Sequence, residues 1–278
     1  MTRIVAMSIE FSSMLFIYGS IIGSFLNVVI LRLPRNIDIV RKSSRCPHCK
    51  HTLGFFDLIP ILSFVVLQGK CRYCHKYISF QYPLIEFITG VWVVFVGWWL
   101  HIPAFELSSL YLDAAFLWVL GFIALVIVVI DIKHYIIPDV LTIALLLVVV
   151  AYIGAKALGG GVYPTITNPL LLDAIVGYDI KGSSHFLSHI IGGLVGSGFL
   201  GGLWLITKGK GMGLGDVKLV GVLGLLVGWH ATIESLGLAF ILGSVVGVAL
   251  LITGSKKMKS MVPFGPFLLV AFLFSILT

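Results

Sequence analysis

Long apolar runs separated by short polar stretches make up most of this chain. Runs near residues 11–31, 84–101, 113–130, 138–156, 186–206, 217–233, 235–253 and 262–278 hold few charges. A bilayer crossing takes about 20 mostly apolar residues at roughly 1.5 Å rise each. The pattern therefore predicts an all-α polytopic membrane protein with about eight transmembrane helices. The sixth run is the weakest, because its apolar stretch from Leu219 to Trp229 is too short to cross alone. The first run, Phe11 to Leu31, reads as a retained span rather than a signal peptide: Glu10 precedes it and no A-x-A cleavage pattern follows. Glycines at 192, 193, 196, 198, 201 and 202 crowd the fifth run. Small residues let helix backbones approach in a membrane, so they predict a packing face. No internal repeat is evident.

Composition narrows the class further. Of 278 residues, 59% are hydrophobic and 11% charged, against about 25% charged in soluble domains. A water-soluble globule is excluded, and so is a disordered chain, which needs low hydrophobicity and high charge. The net charge of +7 is uneven, with nine of the 19 Lys and Arg between Arg32 and Lys76. Membrane topology explains that excess more simply than nucleic acid does. With residues 32–83, 131–137, 207–218 and 254–261 on the inner side, 16 of the 19 basic residues face inward. The expected organisation is a first helix at 1–31, a cytoplasmic loop at 32–83 and a seven-helix bundle at 84–278. An outer loop at about 159–185, rich in Gly, Pro, Asn and Ser, reads as a connector without chemistry.

The inner loop carries all four cysteines as two pairs, Cys46-Pro-His-Cys49 and Cys71-Arg-Tyr-Cys74. Two CxxC knuckles can set four thiolates tetrahedrally around one ion, usually zinc, and no open position is evident, so the role is structural. Arg45, Lys50, Lys70, Arg72 and Lys76 are expected to favour the thiolates. The competing reading is disulfides or inert thiols, and a cytosolic face disfavours disulfides. His48, His51 and His75 lie near, but four cysteines make them unnecessary as ligands.

Acids bordering apolar spans are functional candidates, since burying one is costly. Asp131 ends a run of 17 uncharged residues, Asp139 follows Pro138 at the next helix start, and Asp216 closes Gly213-Leu-Gly215-Asp216. All three fall at the inner membrane edge. Asp139 reads as a helix-start cap beside proline. For Asp131 the competing reading is an interfacial acid touching Lys133, and for Asp216 a helix cap. Two carboxyls sharing one proton can activate water and protonate a leaving amine, the logic of an aspartic protease. Judged by its own helix dipole, Asp216 at a helix N-terminus is the expected anion and Asp131 at a C-terminus the proton holder. No HExxH, Walker loop or dinucleotide fingerprint is present, and the scattered His134, His185, His189 and His230 read as interfacial.

Taken together, these motifs resemble the bacterial type IV prepilin peptidases, the leader peptidase/N-methyltransferase family. The resemblance is carried by GSFLNVVILRLP (Gly23 to Pro34), the double CxxC, YPLIEFITG (Tyr82 to Gly90), DIKHYIIPD (Asp131 to Asp139), GMGLGDVKL (Gly211 to Leu219) and PFGPFL (Pro263 to Leu268). It implies a polytopic aspartic endopeptidase of the inner membrane. Its substrates are type IV prepilins or pseudopilins, cut after a glycine on the cytoplasmic side, and nucleic acid is no partner. It also implies N-methylation of the new N-terminus with S-adenosylmethionine. The family's catalytic acids fall on Asp131 and Asp216, with Asp139 set aside. For the methyl donor the expectation is the inner loop and the first two helix ends, with Glu86 the acid, facing the donor's ammonium or Lys218. The outer loop is longer than the family leads one to expect.

Two other classes compete. A transporter would place its acids near the bilayer midplane within inverted repeats. A non-catalytic scaffold with a zinc knuckle would leave the GxGD motif unexplained.

Overall fold

The computed structural model describes residues 8–100, 110–158, 185–254 and 262–277. The outer connector predicted at about 159–185 lies outside the described residues up to 184, and His185 already opens a helix. Among the described residues eight longer helices follow in order: α1 (Ile9–Arg32), α2 (Gln81–Trp99), α3 (Leu110–His134), α4 (Asp139–Leu158), α5 (His185–Thr207), α6 (Leu214–Val227), α7 (Trp229–Ile252) and α8 (Gly265–Leu277). The all-α polytopic class holds. Among the described residues, the only extended pairing is two isolated bridges in the inner loop.

The sequence pattern predicts about eight spans; among the described residues six helices, α1 to α5 and α7, are long and apolar enough to cross a membrane. α6 has 14 residues and α8 has 13. At about 1.5 Å per residue each reaches only about 20 Å, short of a hydrocarbon core of about 30 Å. The break expected between 233 and 235 falls at Gly228 instead. Its φ of +81° lets the chain leave α6 and enter α7 at the next residue.

Packing divides the chain into two compact units, one reaching Val126 and one starting at Ile127, inside α3. α2 thus groups with α1 and the inner loop rather than with the later helices. In the first unit, α1 buries Leu15, Gly19, Gly23, Leu26 and Ile30 on one stripe, and α2 answers with Ile85, Thr89, Val93 and Val96. Indole N–H groups complete the backbone joins: Trp92 donates to Leu117 O and Trp118 to Val93 O, both at 3.1 Å. Below α1, the Arg32 guanidinium donates to the carbonyls of Asp38, Ile39, Lys42 and Ser43 and ties down the start of the inner loop.

In the second unit α6 is central, packing against α4, α5, α7 and α8. Leu219, Val220 and Leu223 on α6, and Leu268, Leu269 and Phe272 on α8, are almost wholly buried. The predicted glycine face of α5 is real over part of its length. A side chain at Gly192 would strike the backbone of Gly224 and Gly228, one at Gly193 would meet Leu225, and one at Gly196 would meet Val220. Gly198 and Gly202 meet nothing within 4 Å; they sit on another side of the helix, away from α6.

Candidate functional site

Three places carry chemistry: the cysteine knuckles, a cavity beside them, and the acids of the second unit. The knuckles are two copies of one turn, 25 positions apart in sequence. In the first, Cys46 N–H donates to His51 O, Lys50 N–H donates back to Cys46 O, and Lys50 adopts φ +61°. In the second, Cys71 N–H donates to Lys76 O, His75 N–H to Cys71 O, and His75 adopts φ +56°. Bridges Arg45–Thr52 and Lys70–Tyr77 close them. This short repeat escaped the sequence reading because only the cysteines recur as letters.

The four sulfurs lie within 4.8 Å of one another, and Cys46 Sγ and Cys74 Sγ are 3.9 Å apart. A tetrahedral ion with sulfur at about 2.3 Å needs sulfurs about 3.8 Å apart, so the arrangement could hold a metal. Burial opposes a Cys46 thiolate, yet the N–H groups of Cys49 and His48, with neighbouring thiols, bring its pKa down to about 6. The sequence credited the basic residues with this effect; instead, Arg72 pairs with Asp57 at 2.7 Å and Lys70 lies over the Tyr77 ring. The histidines are outside the sulfur cluster. His48 reaches Tyr77 O at 3.2 Å, and His51 stacks on Tyr73, so both join one knuckle to the other.

A cavity of about 400 Å³ opens beside the knuckles, between the lower part of α1, the start of α2 and the inner loop. Ser24, Asn27, Asp57, Tyr82 and Glu86 reach its wall. Glu86, expected from the sequence to meet the methyl donor, is buried here. Its Oε2 accepts from the N–H of Ile61 at 2.8 Å, and Ser24 also bonds it. Lys218, offered as a possible partner for Glu86, pairs with Asp139 at 2.7 Å. Ile61 is the surprise. With φ +61° and ψ −51° it is the centre of a tight γ-turn, Leu62 N–H donating to Pro60 O. A β-branched residue is strained there. Asp57 was also missed: its carboxylate takes Gly54 N–H and Tyr73 O–H besides Arg72. Neither residue stands out in the sequence, because backbone angles and contacts 15 or more positions away leave no local mark.

In the second unit, Asp131 occupies the last turn of α3 and Asp216 the first turn of α6, 5% and 8% exposed. Asp131 Oδ2 accepts from the N–H of Gly265 at 3.1 Å, at the start of α8. The Asp216 carboxylate takes the N–H of Gly213, half of a capping box. Ile137 lies against both surroundings: a side chain at Gly215 would meet its Cβ at 3.0 Å, and one at Gly265 its Cδ1 at 3.3 Å. The same position at Gly265 lies 2.7 Å from Asp131 Oδ2, so only glycine admits that carboxylate. Burial first, and then the charge of Asp131, push Asp216 up to about 7. The structure therefore brings the two acids into one electrostatic unit. The dipole argument from sequence overlooked α8: Asp131 also sits at a helix N-terminus, that of another helix, which favours its anion. Asp139 is exposed and pairs with Lys218.

Comparison with known proteins agrees with this layout. Residues 17–100 match the bacterial peptidase A24 N-terminal domain, and residues 118–248 match the type IV leader peptidase family. The chain is 34% identical over 252 residues to the prepilin leader peptidase/N-methyltransferase of Myxococcus xanthus (strain DK1622), covering 88% of this chain and 65% of that relative. It is 30% identical over 278 residues to the protein so named from Stutzerimonas stutzeri, covering 92% and 86% of the two chains. With the one from Bacillus subtilis (strain 168) it shares 30% over 255 residues, or 91% and 89%. No solved structure matches. Matched along nearly its whole length by such relatives, and by one family domain on each side of residue 110, the chain belongs to the type IV leader peptidase family.

Proposed function

We propose that this protein is a membrane-embedded aspartic endopeptidase. It removes the leader from type IV prepilins or pseudopilins at the cytoplasmic face of the inner membrane and N-methylates the new N-terminus. The relatives' shared name supports both activities. The observation that carries the cleavage reading is the pair of buried carboxyls, Asp131 and Asp216, placed on two helix ends and coupled by charge. One ionised carboxylate accepts a proton from water as the water oxygen attacks the scissile carbonyl. The protonated partner gives its proton to the departing amine. Asp131, held by the Gly265 N–H, is the anion in this scheme, and Asp216 carries the shared proton. The bias of basic residues toward 32–83, 207–218 and 254–261 supports the cytoplasmic orientation. The transporter alternative gains no support, since both acids lie at helix ends rather than at a midspan.

The cysteine cluster is assigned to structural zinc by its four sulfurs and their spacing. The ion would cross-link the two knuckles. S-adenosylmethionine is assigned to the cavity in the first unit: its volume and the buried carboxylates of Glu86 and Asp57 suit a cationic donor with a ribose diol. Glu86 is the residue expected to hold the donor's ammonium. The bound donor supplies the methyl group.

Cleavage of a purified prepilin in detergent tests the acid pair. Asp131→Ala and Asp216→Ala should each lower the rate by at least about 10³-fold, and Asp139→Ala should retain most of it. Cleavage persisting in Asp216→Ala would remove the peptidase reading.

A further inference from the structure

Between the two knuckles the inner loop turns apolar. The stretch from Leu58 to Leu67 carries no charge, and Phe55 and Phe56 stand just ahead of it. A run of that length is too short to cross a bilayer and belongs either in a protein core or in the membrane interface. The structure excludes the core: Phe55 is 80%, Phe56 69% and Val66 69% exposed, and Leu62 and Val65 are exposed as well. We propose that residues 55–67 seat in the interfacial layer of the bilayer beside the start of α2, with Phe55, Phe56, Leu62, Val65 and Val66 against lipid.

Depth is the first support. The Ile61 N–H donates to Glu86, which stands in the second turn of α2, and α2 is long and apolar enough to cross a membrane from Gln81 onward. The bend at Ile61 therefore lies alongside the beginning of a span, not beneath it. Continuity is the second. The Phe64 ring meets Phe80 edge-on, with centroids 6.1 Å apart. From Phe80 an exposed apolar stripe runs up α2 through Leu84, Phe87 and Val91, at helical spacing. The exposed face of the loop thus joins the lipid-facing side of a span. Third, the segment has two sides. Ser63, Phe64 and Leu67 line the cavity, while Leu62, Val65 and Val66 of the same short helix, Leu62–Val66, face outward. Fourth, its backbone is provided for without water, as an apolar setting requires. The N–H groups of Leu62, Ser63, Val65 and Leu67 donate to Pro60, Ile59, Ile61 and Ser63 carbonyls, and that of Ile61 to Glu86. Charge completes the picture. Residues 32–83 hold nine basic and two acidic side chains, and Arg41, Lys42, Arg45 and Lys76 are exposed. Such a surface is attracted to anionic headgroups. An apolar face flanked by basic residues is the make-up of an element lying about 5–10 Å into the headgroup and acyl boundary.

The test uses the full-length protein in nanodiscs that contain anionic lipid. Trifluoromethyl-phenylalanine is placed singly at positions 56, 62 and 66 and, as a reference on the span, at the exposed Phe87 of α2. Fluorine relaxation is then measured with dissolved oxygen, which concentrates in lipid, and with a soluble gadolinium chelate, which stays in water. Oxygen should act severalfold more strongly than the chelate at 56, 62 and 66, as at 87. A dominant chelate effect would place the segment in water. Weak effects from both probes would mean that protein covers it. Either result overturns the proposal. In parallel, a photoreactive benzoyl-phenylalanine at position 66 should give lipid adducts by mass spectrometry, and adducts to protein alone would also overturn it. None of these readouts depends on cleavage or methyl transfer, so failure of either enzymatic reading would leave the result intact.

Discussion

Ionising Asp216 is costly because it is buried and because Asp131 already places a charge beside it, so its pKa rises from 3.8 to about 7. Cleavage that depends on a shared proton should fall as pH rises through about 7, several units above the limb an ordinary carboxylate would give. The stability effect has a definite sign. A proton bound more tightly in the folded state stabilises most at low pH, and that contribution is lost between about pH 4 and pH 7. Asp216→Asn should therefore raise Tm relative to the parent at pH 8 and change it little at pH 4. A thermal-melt series from pH 4 to pH 9 checks both, and equal Tm differences at the two ends would contradict the assignment. The sequence exposed these acids through their apolar surroundings. It concealed the hydrogen bond from Gly265, 134 positions away from Asp131, and with it the reason for placing the anion there.

At the scale of elements, the helices were legible because a membrane span needs a long uninterrupted apolar run, which composition alone reveals. Their ends were less so. α6 stops at Gly228 through a left-handed backbone angle, whereas hydropathy runs on through Trp229. The contact of α5 with α6 was half legible: crowded glycines announced close packing, but not that Gly198 and Gly202 point away from it. Gly192→Leu should destabilise the protein by about 1–3 kcal/mol, seen as a lower Tm in detergent, while Gly202→Leu should leave Tm within about 0.5 kcal/mol equivalent. The knuckles make a separate element, and under the zinc proposal its stability depends on the ion. Removing the metal with a chelator, or Cys46→Ser, should abolish zinc in elemental analysis and expose residues 44–78 to protease. Methyl-donor binding should weaken more than cleavage, because Cys46, Cys71 and Arg72 also line the cavity.

For the whole molecule, the two proposed sites fall in separate stretches of the chain. The cavity is built from residues between Ser24 and Glu86, and the acid site from residues between Asp131 and Gly265. The two activities should therefore separate. Glu86→Gln keeps an acceptor for the Ile61 N–H but loses the charge. It should weaken S-adenosylmethionine binding about tenfold or more by calorimetry with cleavage retained. Asp216→Asn should do the reverse.

The backbone at Ile61 costs about 1–3 kcal/mol to hold in that conformation, and the acceptor that holds it belongs to the residue expected to meet the methyl donor. Glycine at position 61 adopts a positive φ without that cost and keeps the N–H that Glu86 accepts, so Ile61→Gly should relieve the bend while leaving the anchor of the Glu86 carboxylate in place.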